Sequence, residues 1–168
     1  MKLRWKELGR GHRVLLLLAA LGLAQIAWYY PQVPAQAVMQ WDLAGNPGYD
    51  APRIFFAAVL VFVLLLLSVV FWFFGYQTSL FREARLPNHK YWYSPDNFDR
   101  TIAIIGNCHQ RVGNAFLAFW LVVNHRILTG NLPGHSAAGN YVGYALVAML
   151  AYAVIEYSRT WFYFRKPR

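Results

Sequence analysis

The chain has 168 residues, of which 58% are apolar and only 14% charged, with a net charge of +9. An average soluble domain has about 45–50% apolar and about 25% charged residues, so a surface this poor in charge needs lipid around it, and an ordinary soluble domain is excluded. One cysteine, Cys108, rules out an internal disulfide and any zinc or iron–sulfur cluster built on cysteines.

Lys2, Arg4, Lys6, Arg10 and Arg13 precede a first apolar run at residues 14–30. A helix over it is about 25 Å long, slightly short of the roughly 30 Å hydrocarbon core, and Trp28, Tyr29 and Tyr30 supply an interfacial aromatic belt. The basic start, apolar core and Ala35-Gln36-Ala37 also fit a secretory signal peptide with its cleavage site; the run is read as a transmembrane helix. Ala20, Ala24 and Ala27 recur at i, i+4, i+7, a small-residue stripe suited to close helix contact.

Residues 30–56 form a polar loop rich in Pro and Gly, expected to be ordered. The second apolar run, residues 54–76, has no charge and only Ser68 as a polar interruption. Its helix is about 35 Å long, enough to span with some tilt. Residues 77–100 are polar; Leu86-Pro87-Asn88 forces an extended or turned backbone, and Ser94-Pro95-Asp96 reads as an N-cap with proline at the first helical position.

The third run is taken as a helix over residues 104–126, with a strongly apolar part of only about twelve residues. It spans only by recruiting its polar flanks, and Asn107, Arg111, Asn114 and Ala118 share one helical face that should point into a bundle. A short outer loop with Gly130, Pro133 and Gly134 leads to the fourth run, residues 139–162, which opens on Gly139 and Gly143 at a close-packing spacing. Glu156 and Arg159 lie near its inner end, spaced to pair.

Fourteen of the sixteen basic residues fall on one set of alternating flanks, and only Arg53 and Arg126 on the other. That is the positive-inside pattern, which puts both termini in the cytoplasm and explains the charge without nucleic-acid binding. The expectation is an all-α membrane protein: a single domain over residues 1–168, a bundle of four transmembrane helices with an ordered extracytoplasmic loop, N-in and C-in.

Catalytic constellations are not visible: there is no GxSxG, HExxH or Gly-rich phosphate loop. His12, His109, His125 and His135 invite a haem reading, but the second and fourth runs carry no histidine and no cofactor is expected. Asp42 and Asp50 flank an expected turn, where carboxylates more often cap backbone than hold a metal, and no metal is assigned. Glu156, acidic within a span, is a functional candidate by default, but the favoured account is a structural ion pair with Arg159 or with Arg111 on the neighbouring helix, ahead of a proton or substrate pathway. With Asn107, Arg111, Asn114 and Arg159 it makes a candidate intramembrane polar cluster.

The loop supplies Tyr30-Pro31-Gln32-Val33-Pro34, then Gln40-Trp41-Asp42, then Gly45-Asn46-Pro47-Gly48, then Arg53. This series resembles the core motif of the bacterial DUF1648 membrane proteins, shared by SdpI-type immunity proteins, over about residues 14–75. The family usually has histidine where Gln40 stands; glutamine also offers a donor and an acceptor. The resemblance implies a multi-helix protein of the bacterial inner membrane with no settled enzymatic role. The function expected is non-enzymatic: an accessory subunit of a membrane complex or an immunity-type protein, its partners the bilayer and other membrane subunits. Tyr30, Pro31, Pro34, Gln40, Trp41, Asp42, Gly45, Asn46, Pro47 and Arg53 would form its recognition loop. The alternative is a small transporter or ligand-binding membrane protein using the polar groups of the third and fourth helices.

Overall fold

The computed structural model describes residues 9–41, 47–76, 85–133 and 141–166. It is mostly helical: α1 (Gly9–Tyr29), α2 (Arg53–Tyr76), the one-turn α3 (His89–Trp92), α4 (Phe98–Gly130) and α5 (Tyr141–Phe164). Between α1 and α2 the chain forms a two-stranded antiparallel hairpin, β1 (Gln36–Trp41) and β2 (Pro47–Pro52). The expected all-α fold is amended there, because the loop's backbone groups pair with each other as strands. Three helices are long and apolar enough to cross a membrane, over Arg10–Gln32, Arg53–Phe73 and Tyr141–Phe164.

α4 is the helix around which the others are arranged, packing against α1, α2 and α5. With 33 residues it is about 50 Å long; it contains the expected span of 104–126 and continues past it to Gly130. Its contacts with α1 keep a separation of 99 residues at successive levels: Gly11 lies on Gln110, Gly22 on Leu121, and Gln25 bonds Asn124. α1 and α4 therefore run parallel, side by side. α2 runs antiparallel to both, with Leu64 against Gly22, Phe71 against Gly113 and Trp72 edge-on to His12.

Two glycines set how closely these helices approach. A Cβ at Gly22 would sit 2.7 and 2.9 Å from the Leu64 methyls, and one at Gly113 would sit 2.7 Å from the Phe71 ring. The small residues singled out from the sequence are not at these contacts. Ala20, Ala24 and Ala27 are exposed, Gly143 has nothing within 4 Å, and Gly139 lies outside the described residues. Spacing alone does not say which side of a helix meets its neighbour.

The main core joins Leu15 and Ile26 of α1, Leu60 and Leu64 of α2, and Leu117 and Leu128 of α4, and continues into Val33 and Ala37 beneath the hairpin. A second, smaller core holds Trp92, Ile105 and Phe164 at the opposite end, where α3 tucks between α4 and α5. The Trp92 indole N–H donates to the Phe164 carbonyl at 2.7 Å, and Asn88 Nδ2 donates to the Arg165 carbonyl at 2.9 Å. These bonds satisfy carbonyls that the end of α5 would otherwise leave without partners. Arg10, Lys90, Arg100, Arg159, Arg165 and Lys166 gather at this basic end, while Arg53 and Arg126 lie at the hairpin end.

α4 starts later than Ser94-Pro95-Asp96 suggested. The Ser94 hydroxyl donates back to the Tyr91 carbonyl at 2.8 Å and accepts from Asn97 Nδ2 at 3.2 Å, so it does not cap forward. The segment closes as a turn, and the helix begins at Phe98 after Asn97. The expected inward face is also corrected: Asn107, Arg111 and Ala118 are exposed and Asn114 is half-buried. Helices pack on α4 from more than one side, so its buried positions follow two seams. Gln110, Gly113, Leu117 and Asn124 face the α1–α2 side, and Ile105 and Cys108 face α5.

Candidate functional site

A lone two-stranded hairpin is marginally stable in water at best, and this one is braced from the helices beneath it. α1 ends in a 3-10 turn, Tyr30–Gln32, with Pro31 in its first positions, and the Val33 amide closes on the Tyr29 carbonyl at 3.1 Å. The strands pair Gln36 with Pro52, Ala37 with Ala51, Val38 with Asp50, Gln40 with Tyr49 and Trp41 with Pro47; the ladder is irregular between Val38 and Trp41. Ala37 and Ala51 face each other and are fully buried, their small side chains letting the ribbon lie down on the helix ends.

Arg53 holds the neck. Its Nη1 donates to the Val33 carbonyl at 3.1 Å and to that of Pro31 at 3.5 Å, and the guanidinium lies 4.8 Å from the centre of the Tyr30 ring. Its backbone N–H donates to the Ala35 carbonyl at 2.9 Å. The second brace comes from the far end of α4. The Asn131 side-chain oxygen accepts from the Val38 amide at 2.7 Å, while Nδ2 donates to the carbonyls of Val38 and Ile127 at 3.1 and 3.0 Å. The carboxamide thus pairs with the outer edge of β1 as a neighbouring strand would, covering an edge that hairpins leave open. Gly48, Tyr49 and Asp50 are exposed on this braced support.

Of the recognition-loop residues, the structure brings Tyr30, Pro31, Pro34 and Arg53 together at the neck. Gln40, Trp41 and Pro47 contribute backbone to the outer part of the strands; their side chains lie outside the described residues, as do Asp42, Gly45 and Asn46 altogether. Asn131 was missed. It sits in a Gly/Pro-containing stretch that reads as a loop, and its partner is 93 positions away.

The expected intramembrane cluster divides. Glu156, with a side chain only 5% exposed, takes Arg111 Nε on one oxygen at 2.8 Å and Arg159 Nη1 on the other at 3.1 Å. Charge-assisted bonds of this kind offset the cost of burying a carboxylate. Asn107 is exposed outside this triad. Asn114 belongs to the α1–α4 seam, donating to the Gly11 carbonyl at 3.0 Å and accepting from Gln110 at 3.2 Å. Higher on that seam, Asn124 Nδ2 donates to Gln25 Oε1 at 2.8 Å. Sequence reasoning missed the Gln25–Asn124 pair, although a lone glutamine inside an apolar run is a signal of an interhelical partner.

Two cavities open beside the α4–α5 seam near the basic end. One, of about 740 Å³, is bordered by Ile104, Arg111, Arg159, Tyr163, Arg165 and Lys166. The other, of about 600 Å³, is mainly apolar and includes Cys108, His109 and Tyr157. The Cys108 thiol is buried, 3.7 Å from the Glu156 carbonyl. The described histidines sit apart, His12 on Trp72, His89 near Tyr93, His109 near Tyr157 and His125 near Tyr29; His135 lies outside the described residues. Among the described residues no three His, Cys, Asp or Glu side chains group as metal ligands.

The fold defines a mostly helical protein with three helices fit to cross a membrane and a braced hairpin at one end. No family model, curated protein or solved structure matches the chain.

Proposed function

We propose that this is a non-enzymatic integral membrane protein of the bacterial inner membrane, acting as an accessory subunit or immunity-type partner, with the hairpin as its outer recognition surface. α4 is then the fourth crossing. It lies alongside α1 from Gly11 to Gln25 at a fixed separation, so a bilayer around α1 encloses α4 as well. Among the polar side chains of α4, Gln110, Asn114 and Asn124 each make a bond within the bundle, which lowers the cost of crossing, although Gln110 Oε1 and Asn124 Oδ1 are buried without a hydrogen-bond partner among the described residues. The charge distribution favours the hairpin end as the outer face and the basic end as the cytoplasmic one.

The observation that carries the recognition reading is the double brace by Arg53 and Asn131. A tether between two helices needs no such support; a surface that must keep one shape does, because pre-ordering lowers the entropy cost of binding. The motif resemblance to the DUF1648 proteins points the same way. The test is co-purification from membranes in mild detergent, comparing the native chain with a Tyr49→Ala/Asp50→Ala variant. A stoichiometric partner on the native chain, lost from the variant, supports the reading. A partner-free protein, or a partner retained equally by both, overturns it.

A further inference from the structure

We propose that the groove between α4 and α5 at the basic end binds the phosphate of an anionic phospholipid headgroup. Arg111 comes from α4, Arg159 from α5, and Arg165 and Lys166 from the residues following α5, all bordering one cavity of about 740 Å³. Among the described residues, Glu156 is the carboxylate paired within this group, with Arg111 and Arg159, and it is turned into the seam, its side chain 5% exposed while those of Arg111 and Arg159 are 47% and 73% exposed. Each of these arginines uses one nitrogen on Glu156. That contact orients both guanidiniums and leaves the rest of each planar fork for an outside acceptor, the geometry that suits phosphate. Among the described residues, neither Arg165 nor Lys166 has a carboxylate partner. Arg100 stands next to the wall, its Nη2 2.5 Å from the Tyr163 hydroxyl.

The surroundings favour a lipid over a free anion. The groove opens beside exposed apolar side chains of α5, including Ile155 and Phe162, on which acyl chains would lie while the headgroup reaches the cations. Its volume holds a headgroup with its glycerol and is generous for a lone phosphate ion. Basic pockets between helices at the cytoplasmic side of a membrane are a recurrent way of holding anionic lipids. The inference rests on the membrane reading of α5 and is independent of the hairpin's partner.

The test is native mass spectrometry of the full chain in detergent, titrated with dioleoyl phosphatidylglycerol or dioleoyl phosphatidylcholine. Phosphatidylglycerol should bind at least about tenfold tighter, and Arg159→Gln/Lys166→Gln should weaken it about thirtyfold, the scale of two surface cations at a lipid headgroup. Both side chains are exposed and Glu156 keeps Arg111, so the variant folds; an unchanged melting temperature in detergent checks this. Arg10→Gln/Lys90→Gln, which removes equal charge at exposed positions outside the groove, should leave the preference intact. Equal binding of the two lipids, equal loss in both variants, or displacement by inorganic phosphate in moderate excess overturns the proposal.

Discussion

Replacing Asn131 by alanine removes three hydrogen bonds in one step, two to Val38 and one to Ile127. Buried neutral hydrogen bonds contribute about 1 kcal/mol each, and a buried group left unsatisfied costs more. Val38 is half-buried, so water reaches part of the vacated edge, and we expect a loss of about 2 kcal/mol in the closed state of the hairpin. That raises its opening equilibrium about thirtyfold. Amide hydrogen exchange in detergent micelles, read on a peptide covering residues 33–41, should accelerate by that factor, with α2 peptides unchanged. Asn131→Asp is nearly isosteric but sets a carboxylate against the Val38 and Ile127 carbonyls, so it should lose at least as much. If aspartate behaves like the native chain, or alanine leaves exchange within about threefold, the side chain fills space and does not act as a strand edge.

The remaining expectations concern the bundle. Gly113→Ala drives a Cβ into the Phe71 ring and should cost about 1–3 kcal/mol in detergent unfolding. Gly143→Ala meets nothing and should be neutral or stabilising by up to about 1 kcal/mol; the reverse order would refute the α2–α4 seam. Trp92→Phe keeps an aromatic ring but loses the bond to Phe164, for about 1 kcal/mol. Trp92→Ala should cost about 3–5 kcal/mol and make the basic end the first site of limited proteolysis. Glu156→Gln should destabilise by only about 1–2 kcal/mol in the same unfolding assay, because Arg111 and Arg159 both reach solvent and can turn outward. A loss above about 4 kcal/mol would mean that the guanidiniums are locked in place.

Much of the chain was legible in order. The run expected at residues 54–76 is α2, Arg53–Tyr76, and the fourth, expected at 139–162, is α5, Tyr141–Phe164. The Pro- and Gly-rich stretch was legible as the connection between two helices, but not as strands. Neither strand alternates clearly, and Ala37 and Ala51 are buried by the helix ends beneath them, not by a sheet pattern. Glu156 with Arg159 was readable from helical spacing, and Arg111 on the neighbouring helix as the other candidate partner; the structure has Glu156 bind both, Arg111 across 45 positions.

The sequence by itself determined which stretches prefer lipid to water. Transfer free energy accumulates along a segment from its own side chains, so a window of residues suffices for Arg10–Gln32, Arg53–Phe73 and Tyr141–Phe164. Only the tertiary structure decided which side of each helix meets which neighbour. A helix turns about 100° per residue, so one step of rotation separates Arg111, half-exposed beside α5, from Gln110, buried against α1. The Arg111–Glu156–Arg159 triad, the Gln25–Asn124 pair and the Asn131 brace all depend on that rotation and on the register between helices. Between α1, α2 and α4 those quantities come from packing at Gly22 and Gly113, where Leu64 and Phe71 fill the space that a Cβ would occupy, and between α4 and α5 from the core of Trp92, Ile105 and Phe164.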